Sequence, residues 1–162
     1  MNLIGQIINA MIAYYTGDVR RINHFLKVYG FAKAIGEMEG LDESTQEIIE
    51  IAALTHDIGI KNSEKKYYSS AGNYQQIEGP PEAKKLLEGL GIESSVIDRV
   101  CWLIAHHHTY TDIQGIDYQI LVEADFLVNF YEDDMSIDSV HSAGGKMFKT
   151  LSGKAILNAI YS

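Results

Sequence analysis

Apolar residues along this chain recur mostly at intervals of three and four positions, and the alternation typical of β-strands is almost absent. Between residues 19 and 39, for example, Phe25, Val28, Ala32 and Ile35 fall on one side of a helix. The same spacing recurs in most segments of the sequence. We therefore predict an all-α fold, an orthogonal bundle of about six to eight helices.

Glycine, proline and capping residues set the bounds of these helices. The predicted helices span residues 3–15, residues 19–39 with Asp18 as the cap, Asp42 or Ser44 to His56, Pro80 or Pro81 to Gly89, a segment capped by Ser94 or Ser95 with Ile104 on its inward face, residues 118–132, and one segment near the C-terminus. Residues 118–132 are apolar on nearly every side, which favours a central helix. Residues 61–79 are polar, and we predict a long loop there, of the kind that is usually functional or mobile.

The length of 162 residues indicates one domain, residues 1–162, with its core at about residues 15–130 and a helical C-terminal tail. The formal net charge is −9, and such an acidic domain lacks the basic face that extended nucleic acid requires. The single cysteine, Cys101, excludes an internal disulfide and a cysteine-rich zinc site, and it favours a reducing, cytoplasmic setting. The apolar N-terminus has no basic start and predicts a packing helix rather than a signal peptide. No stretch reaches the ~20 apolar residues of a membrane span.

Four titratable residues interrupt the apolar faces of the predicted helices. His24 borders the apolar stripe of the second helix, while His56 faces inward at the end of the third and Asp57 lies one position further round. Asp125 points into the apolar surroundings of the central helix. A buried carboxylate is costly unless a charge or a metal meets it. Two imidazoles and two carboxylates would satisfy one divalent cation and leave positions open for water or substrate.

Simpler explanations exist for each of these residues taken alone. A single inward histidine is more often a hydrogen-bonded core residue than a ligand, and Asp125 could pair with an arginine. The dipeptide formed by His56 and Asp57 also occurs by chance. The conjunction of all four residues is what favours a metal site.

The same four positions resemble the HD-domain superfamily of metal-dependent phosphohydrolases, with a histidine in an early helix, a His-Asp pair at the end of the next, and a distant aspartate. The stretches RRINHFLKVYGFA, AALTHDIG, EGPPEAKKLL, IAHHHT and EADFLVN occur in the family's order, over about residues 15–130. The resemblance implies an HD-type helical fold and one divalent ion, which is Mn, Fe, Co, Ni or Zn in different members. The implied ligands are His24, His56, Asp57 and Asp125. It also implies hydrolysis of phosphate esters, among which nucleotides are common substrates.

Some members of this family hold a second metal with two further histidines. At the first of those positions the present chain has Glu78. The second position lies within the run His106, His107 and His108. Helical phase places His107 and His108 on the face of Ile104 and turns His106 away. For this pair we favour a role near phosphate over a second metal, which stays open because a carboxylate also binds iron or manganese.

Phosphoryl transfer requires cations around the phosphate oxygens. Two arginines precede His24 on its own helix, and three lysines follow the His-Asp pair. The predicted substrate-binding residues are Arg20, Arg21, Lys61, Lys65 and Lys66. The predicted catalytic residues are Asp57, Glu78, His107 and His108. The last three of these are candidates for the general acid, while a metal-activated water attacks phosphorus.

Two other functions stay open at this point. The fold could bind a nucleotide as a sensor without turnover, and a site with two metals would permit a di-iron oxygenase like those of related helical proteins. The sequence determines neither the substrate nor the metal, and it leaves a homodimer open. The leading prediction is hydrolysis of a nucleotide or another small phosphorylated metabolite, with neither extended nucleic acid nor a membrane as a partner.

Overall fold

Residues 2–162, which the computed structural model describes, fold into α-helices, and no β-strand occurs among them. The helices are α1 (Leu3–Tyr14), α2 (Val19–Met38), α3 (Glu43–Thr55), α4 (Ile60–Tyr67), α5 (Gly72–Gly89), α6 (Ser94–His106), α7 (Ile116–Glu132), α8 (Ile137–Met147) and α9 (Leu151–Ile160). The predicted all-α class is therefore confirmed. These residues form nine helices, more than expected, because the polar segment after His56 and the C-terminal tail each contribute an additional helix. None of the nine is both long and apolar enough to cross a membrane.

Side-chain caps explain where the first three helices begin. Asn2, Asp18 and Asp42 each accept a hydrogen bond from the backbone N–H three residues later, at N···O distances of 3.1, 3.1 and 2.8 Å. Such a bond satisfies a donor that has no partner inside the helix. Of the two candidates for the start of α3, Asp42 rather than Ser44 is thus the cap.

The segment 61–79 is not the predicted loop. It forms most of α4 and the first turns of α5, with residues 68–71 between the two helices. Helix α5 then continues through Pro80 and Pro81, so neither proline opens it. Each proline removes an N–H donor from the helix. Contacts of α5 with α4 and α6 compensate, since tertiary packing contributes more to most helices than local preference does.

Helix α7 is the central helix, as its apolar sequence predicted. It contacts α2, α3, α8 and α9, and most of its side chains are buried. Helices α2 and α3 also contact each other, while α6 joins α3 to α5. Because α2, α3 and α7 touch pairwise, polar side chains on their facing sides meet inside the protein.

The C-terminal tail is held to α7 by Glu123, a fully buried carboxylate. Its Oε2 atom accepts hydrogen bonds from the backbone N–H groups of Lys149 and Thr150 at 2.9 and 3.0 Å. Its Oε1 atom accepts another from the Thr150 hydroxyl at 2.6 Å. These donors lie at the start of α9, where a negative charge is favourable. The helix that carries Asp125 therefore also anchors α9.

Candidate metal centre

Two histidines and two aspartates meet where α2, α3 and α7 face one another. His24 lies in α2 and Asp125 in α7, and His56 and Asp57 follow α3 directly. His24 Nε2 lies 3.1 Å from Asp57 Oδ2 and 3.1 Å from Asp125 Oδ1. His56 Nε2 lies 3.3 and 3.4 Å from the same two oxygen atoms. The structure thus brings together the donor atoms of all four residues.

The second nitrogen of each imidazole fixes the orientation of the ring. His24 Nδ1 lies 2.8 Å from Glu132 Oε1, and His56 Nδ1 lies 2.7 Å from the carbonyl oxygen of Ala53. Carboxylate and carbonyl oxygens are acceptors, so Nδ1 donates and Nε2 of the neutral ring keeps its lone pair. The two Nε2 atoms are 3.2 Å apart. Two lone pairs this close repel each other unless a proton or a cation lies between them.

While the Nε2 atoms of the site histidines carry lone pairs rather than protons, two buried atoms of this region, Asp125 Oδ1 and His107 Nε2, have no hydrogen-bond partner within residues 2–162. A buried carboxylate oxygen without a partner is costly, because nothing replaces the water that it has lost. A divalent cation held by the four residues would satisfy this oxygen and both imidazole lone pairs. Two nitrogen donors and two carboxylates suit a divalent transition metal. The residues present therefore fit such an ion.

Without a cation, the two carboxylates attract protons to the histidines. Burial lowers the pKa of His24, but hydrogen bonds and the charges of Asp125 and Asp57 outweigh it and raise that pKa to about 11. Burial also lowers the pKa of His56, and the charges of Asp57 and Asp125 raise it to about 10. Burial raises the pKa of both aspartates, yet the adjacent imidazoles, His56 first, hold it below the ordinary range. The site thus requires positive charge, from protons or from a metal ion.

A second group of potential ligands shares Asp57, with His107 and His108 as its other members. Asp57 Oδ1 lies 3.4 Å from His107 Nε2. His108 has a different partner, because its Nε2 atom lies 3.0 Å from Gln75 Oε1. The Gln75 amide nitrogen donates to the Ser70 carbonyl at 2.6 Å, which leaves the amide oxygen as an acceptor. His108 Nε2 is therefore a donor in this arrangement.

Glu78 and His106 lie outside this second group. The Glu78 carboxylate is paired with Lys66 and does not line the cavity beside the metal residues. His106 Nδ1 lies 2.7 Å from the Trp102 carbonyl oxygen, and the two rings stack with their centroids 4.0 Å apart. Both residues are thus engaged elsewhere.

A cavity of about 500 Å³ opens beside the four metal residues. Its lining residues are Asp18, Arg20, Arg21, His24, Asp57, Ile60, Ser70, Gln75, His108, Asp125, Asn129, Glu132 and Asp133. All but one of them are polar, and carboxylates outnumber cations. A cavity of this composition favours a small ligand rich in hydrogen-bonding groups.

The two arginines of the cavity differ in their contacts. Arg20 is exposed at the cavity and forms no ion pair with any residue that the structure describes. Arg21 pairs with Asp18 at 2.9 Å and also with Glu64. Arg20 is therefore available to an anionic ligand, whereas Arg21 already has two carboxylate partners.

The three lysines predicted to bind substrate do not line the cavity. Lys61 donates to the Tyr14 carbonyl at 3.0 Å, Lys66 pairs with Glu78, and Lys65 is exposed. The physical reason is the helical conformation of α4. Of that helix, only Ile60 reaches the cavity, and the side chains that follow are directed elsewhere.

Among the site residues that were not predicted individually, Glu132 and Gln75 contact predicted ones directly, namely His24 and His108. Glu132 follows Asp125 by seven positions, roughly two helical turns, so helical phase could have identified it on the same face. Gln75 lies in the segment that was predicted to be a loop, where no helical phase could be assigned.

A glycine after the His-Asp pair lets α5 approach the metal residues. A Cβ atom on Gly59 would lie 2.6 Å from Gly79 N and 2.7 Å from the Gln75 carbonyl oxygen. These are backbone atoms in a packed interior, so they cannot move aside as a flexible side chain would. The close contact places Gln75 beside the site.

The chain is similar to known proteins in sequence and in fold. The sequence model of the HD domain matches residues 21–139. The fold is similar to the crystal structure of a predicted HD superfamily hydrolase from an uncultured Thermotogales bacterium, with a TM-score of 0.69 and 21% identity. That similarity covers 97% of this chain and 84% of the other. No curated protein matches the chain.

Proposed function

Because the chain belongs to the HD-domain family, we propose that it hydrolyses a phosphate ester of a nucleotide or another small phosphorylated metabolite with the help of one divalent metal ion. Phosphomonoesters and phosphodiesters both fall within this proposal. The observation that carries it is the convergence of two imidazole lone pairs and two carboxylates around an unpaired buried oxygen of Asp125.

The proposed ligands are His24, His56, Asp57 and Asp125, and the proposed ion is Mn, Fe, Co, Ni or Zn. The chemistry that such an ion supplies when bound is polarisation of a phosphate oxygen and a lowered pKa of water. The two histidines would bind such an ion through their Nε2 lone pairs, and the two aspartates would balance its charge.

One ion, rather than two, is supported by the contacts of His108 and Glu78, whereas the buried His107 Nε2 atom has no hydrogen-bond partner among the described residues. His108 Nε2 donates to Gln75, and Glu78 pairs with Lys66. A second ion would have to displace these contacts. The same contacts give no support to a di-iron oxygenase.

Arg20 is the proposed contact for the substrate phosphate, because it lines the cavity without a carboxylate partner. Of the three candidates for the general acid, His108 is the one that lines the cavity. Burial, and then the neighbouring His107, lower the pKa of His108 to about 4. His108 is therefore neutral near pH 7, and its single N–H is donated to Gln75 Oε1, so we assign it to the wall of the substrate cavity rather than to proton donation.

The cavity also limits the size and the charge of the substrate. Its volume of about 500 Å³ is in the range of pockets that hold small molecules. Asp18, Glu132 and Asp133 surround the cavity with negative charge, and Arg20 is the unpaired cation among the described lining residues. Repulsion between these carboxylates and phosphate oxygens favours a substrate with one phosphate group over a polyphosphate.

The proposal is tested by the metal content of the purified protein and by its activity on nucleotides and sugar phosphates with each of the five metals. We expect turnover of at least one ester with at least one metal. If no ester is hydrolysed with any of the five metals, the proposal is contradicted and a nucleotide-binding sensor is favoured.

Asp57→Ala should abolish metal binding and turnover while the helical circular dichroism spectrum is retained. The matched control is Asp98→Ala, which removes an exposed carboxylate from α6 and should leave both properties unchanged. Full metal content and turnover in the Asp57 variant would show that the assignment of the site is wrong.

A further inference from the structure

We propose that Glu132 is a positioning residue of the metal centre, which orients His24 as a ligand through a hydrogen bond to the Nδ1 atom of the ring. The inference rests on the proposed metal site. It adds a residue that acts through His24 rather than on the ion itself.

The geometry places Glu132 directly behind the ring of His24. Glu132 is the last residue of α7, and 12% of its side chain is exposed. Its Oε1 and Oε2 atoms lie 2.8 and 3.3 Å from His24 Nδ1. On the other side of the ring, Nε2 lies 3.1 Å from Asp125 Oδ1. One helix therefore contacts both nitrogens of the same imidazole.

His24 depends on a side-chain acceptor, whereas the other inward histidines do not. His56 and His107 each follow the last residue of a helix, and each places Nδ1 2.7 Å from the backbone carbonyl three residues earlier. Carbonyls at a helix end are free to accept such bonds. His24 lies inside α2, where the helix itself uses the nearby carbonyls. Its acceptor has to come from another helix, and Glu132 supplies it.

The Glu132 carboxylate has two effects on His24. By accepting a hydrogen bond from Nδ1–H it fixes the tautomer whose lone pair is on Nε2, and by its negative charge it makes that lone pair more basic. Loss of a partner of this kind typically weakens metal binding by about 10–100-fold. Glutamine at position 132 retains an acceptor oxygen but not the negative charge. This substitution therefore distinguishes the effect of ring orientation from the effect of charge.

The test is the dissociation constant of Mn²⁺, measured by isothermal titration calorimetry on the full chain. Glu132→Ala should weaken binding by about 10–100-fold. Glu132→Gln should retain most of the wild-type affinity for Mn²⁺, because its amide oxygen can accept a hydrogen bond from Nδ1–H. The matched control is Asp133→Asn, which removes an exposed carboxylate from the same cavity without a contact to His24. We expect the control to change the constant by less than about threefold.

Thermal unfolding without metal shows whether each variant is folded. If the alanine variant is not, Glu132→Asp takes its place, since the shorter side chain keeps the charge but withdraws the carboxylate from Nδ1. Equal losses of Mn²⁺ affinity in the Glu132 variant and in the control would overturn the positioning role of Glu132, but they would not contradict the metal site itself. A glutamine variant as weak as the alanine variant would also overturn it. Wild-type protein that binds no Mn²⁺ would instead overturn the metal site, and this inference with it.

Discussion

The Nε2 atoms of His24 and His56 lie 3.2 Å apart, although each ring has an acceptor for its proton at Nδ1. Two lone pairs therefore face each other, and oxygen atoms of Asp57 and Asp125 approach both of them within 3.4 Å. Neutral imidazoles and charged carboxylates repel in this arrangement. A positive charge, whether from protons or from a metal ion, is needed to hold these side chains together.

Removal of the metal should lower the thermal stability of the protein. An ion that binds only the native state stabilises it by about 2.7 kcal/mol at a free concentration of about 100 times Kd. For a domain of this size, the unfolding midpoint should then be about 5–10 °C higher with metal than without. Differential scanning calorimetry in Mn²⁺ and in EDTA measures the difference, which should vanish in Asp125→Asn. Equal midpoints for the wild type in both solutions would contradict binding at this site.

The stability of the metal-free protein should fall as pH rises above neutrality. The pKa of His24 is raised to about 11 and that of His56 to about 10, against 6.5 for ordinary histidine. Between these values the native state holds protons that the unfolded chain has released, so the contribution is complete below pH 6.5 and is lost toward pH 10–11. The slope should reach roughly 1.4 kcal/mol per pH unit for each proton.

Saturating Mn²⁺ should remove this slope, because the ion displaces the protons. Unfolding midpoints from pH 6 to about pH 9, with and without Mn²⁺, test both statements. A metal-free protein whose midpoint is independent of pH in this range would refute the protonated state.

Replacing Arg20 by glutamine should weaken the binding of phosphate substrates far more than replacing Lys65 by glutamine. Arg20 lines the cavity, whereas Lys65 is exposed on α4 away from it. A charge-assisted hydrogen bond contributes about 1.5–3 kcal/mol, so kcat/KM should fall by roughly 10–100-fold, mainly through KM. Steady-state kinetics on the best substrate of the ester panel gives the comparison. A similar KM for both variants would mean that another group holds the phosphate.

Gly59→Ala should destabilise the fold by about 1–3 kcal/mol, because the new methyl group would overlap backbone atoms of α5. Gly30→Ala is the matched control. Gly30 lies inside α2, and a Cβ atom there would meet no packing neighbour within 4 Å, so alanine should stabilise the helix by about 0.5–1 kcal/mol. Urea denaturation of both variants measures the two effects, and effects of the same sign would contradict the close approach of α5.

Helical periodicity was sufficient to predict the all-α class, since the apolar stripes of the core helices are regular. Asp18 and Asp42 also mark the starts of α2 and α3 well, because a side-chain cap is a local signal. The segment 61–79 was predicted wrongly for the opposite reason. It is polar and ends beside two prolines, and its helices depend on packing between α4, α5 and α6, which a local pattern does not contain.

The residues of the candidate site also fall into two groups, those that the sequence pattern identifies and those whose contacts depend on tertiary packing. Residues that interrupt an apolar face, such as His56 and Asp125, can be identified from helical phase alone. The direction of Lys61 depends on whether α4 forms, and the contact between Gln75 and His108 depends on how closely α5 packs against Gly59. These relationships arise from tertiary packing, so a sequence pattern could not supply them.

The proposed ligands come from α2, from the end of α3 and from α7, and so join segments that are distant along the chain. The chain has one cysteine and hence no internal disulfide. An ion held by His24 and Asp125 would act as a reversible cross-link that closes a loop spanning most of the domain. Contacts of such long sequence separation are slow to form, and we expect these to be absent from the folding transition state. Bound metal should therefore slow unfolding and leave the folding rate nearly unchanged, so that the ion sets the lifetime of the native protein.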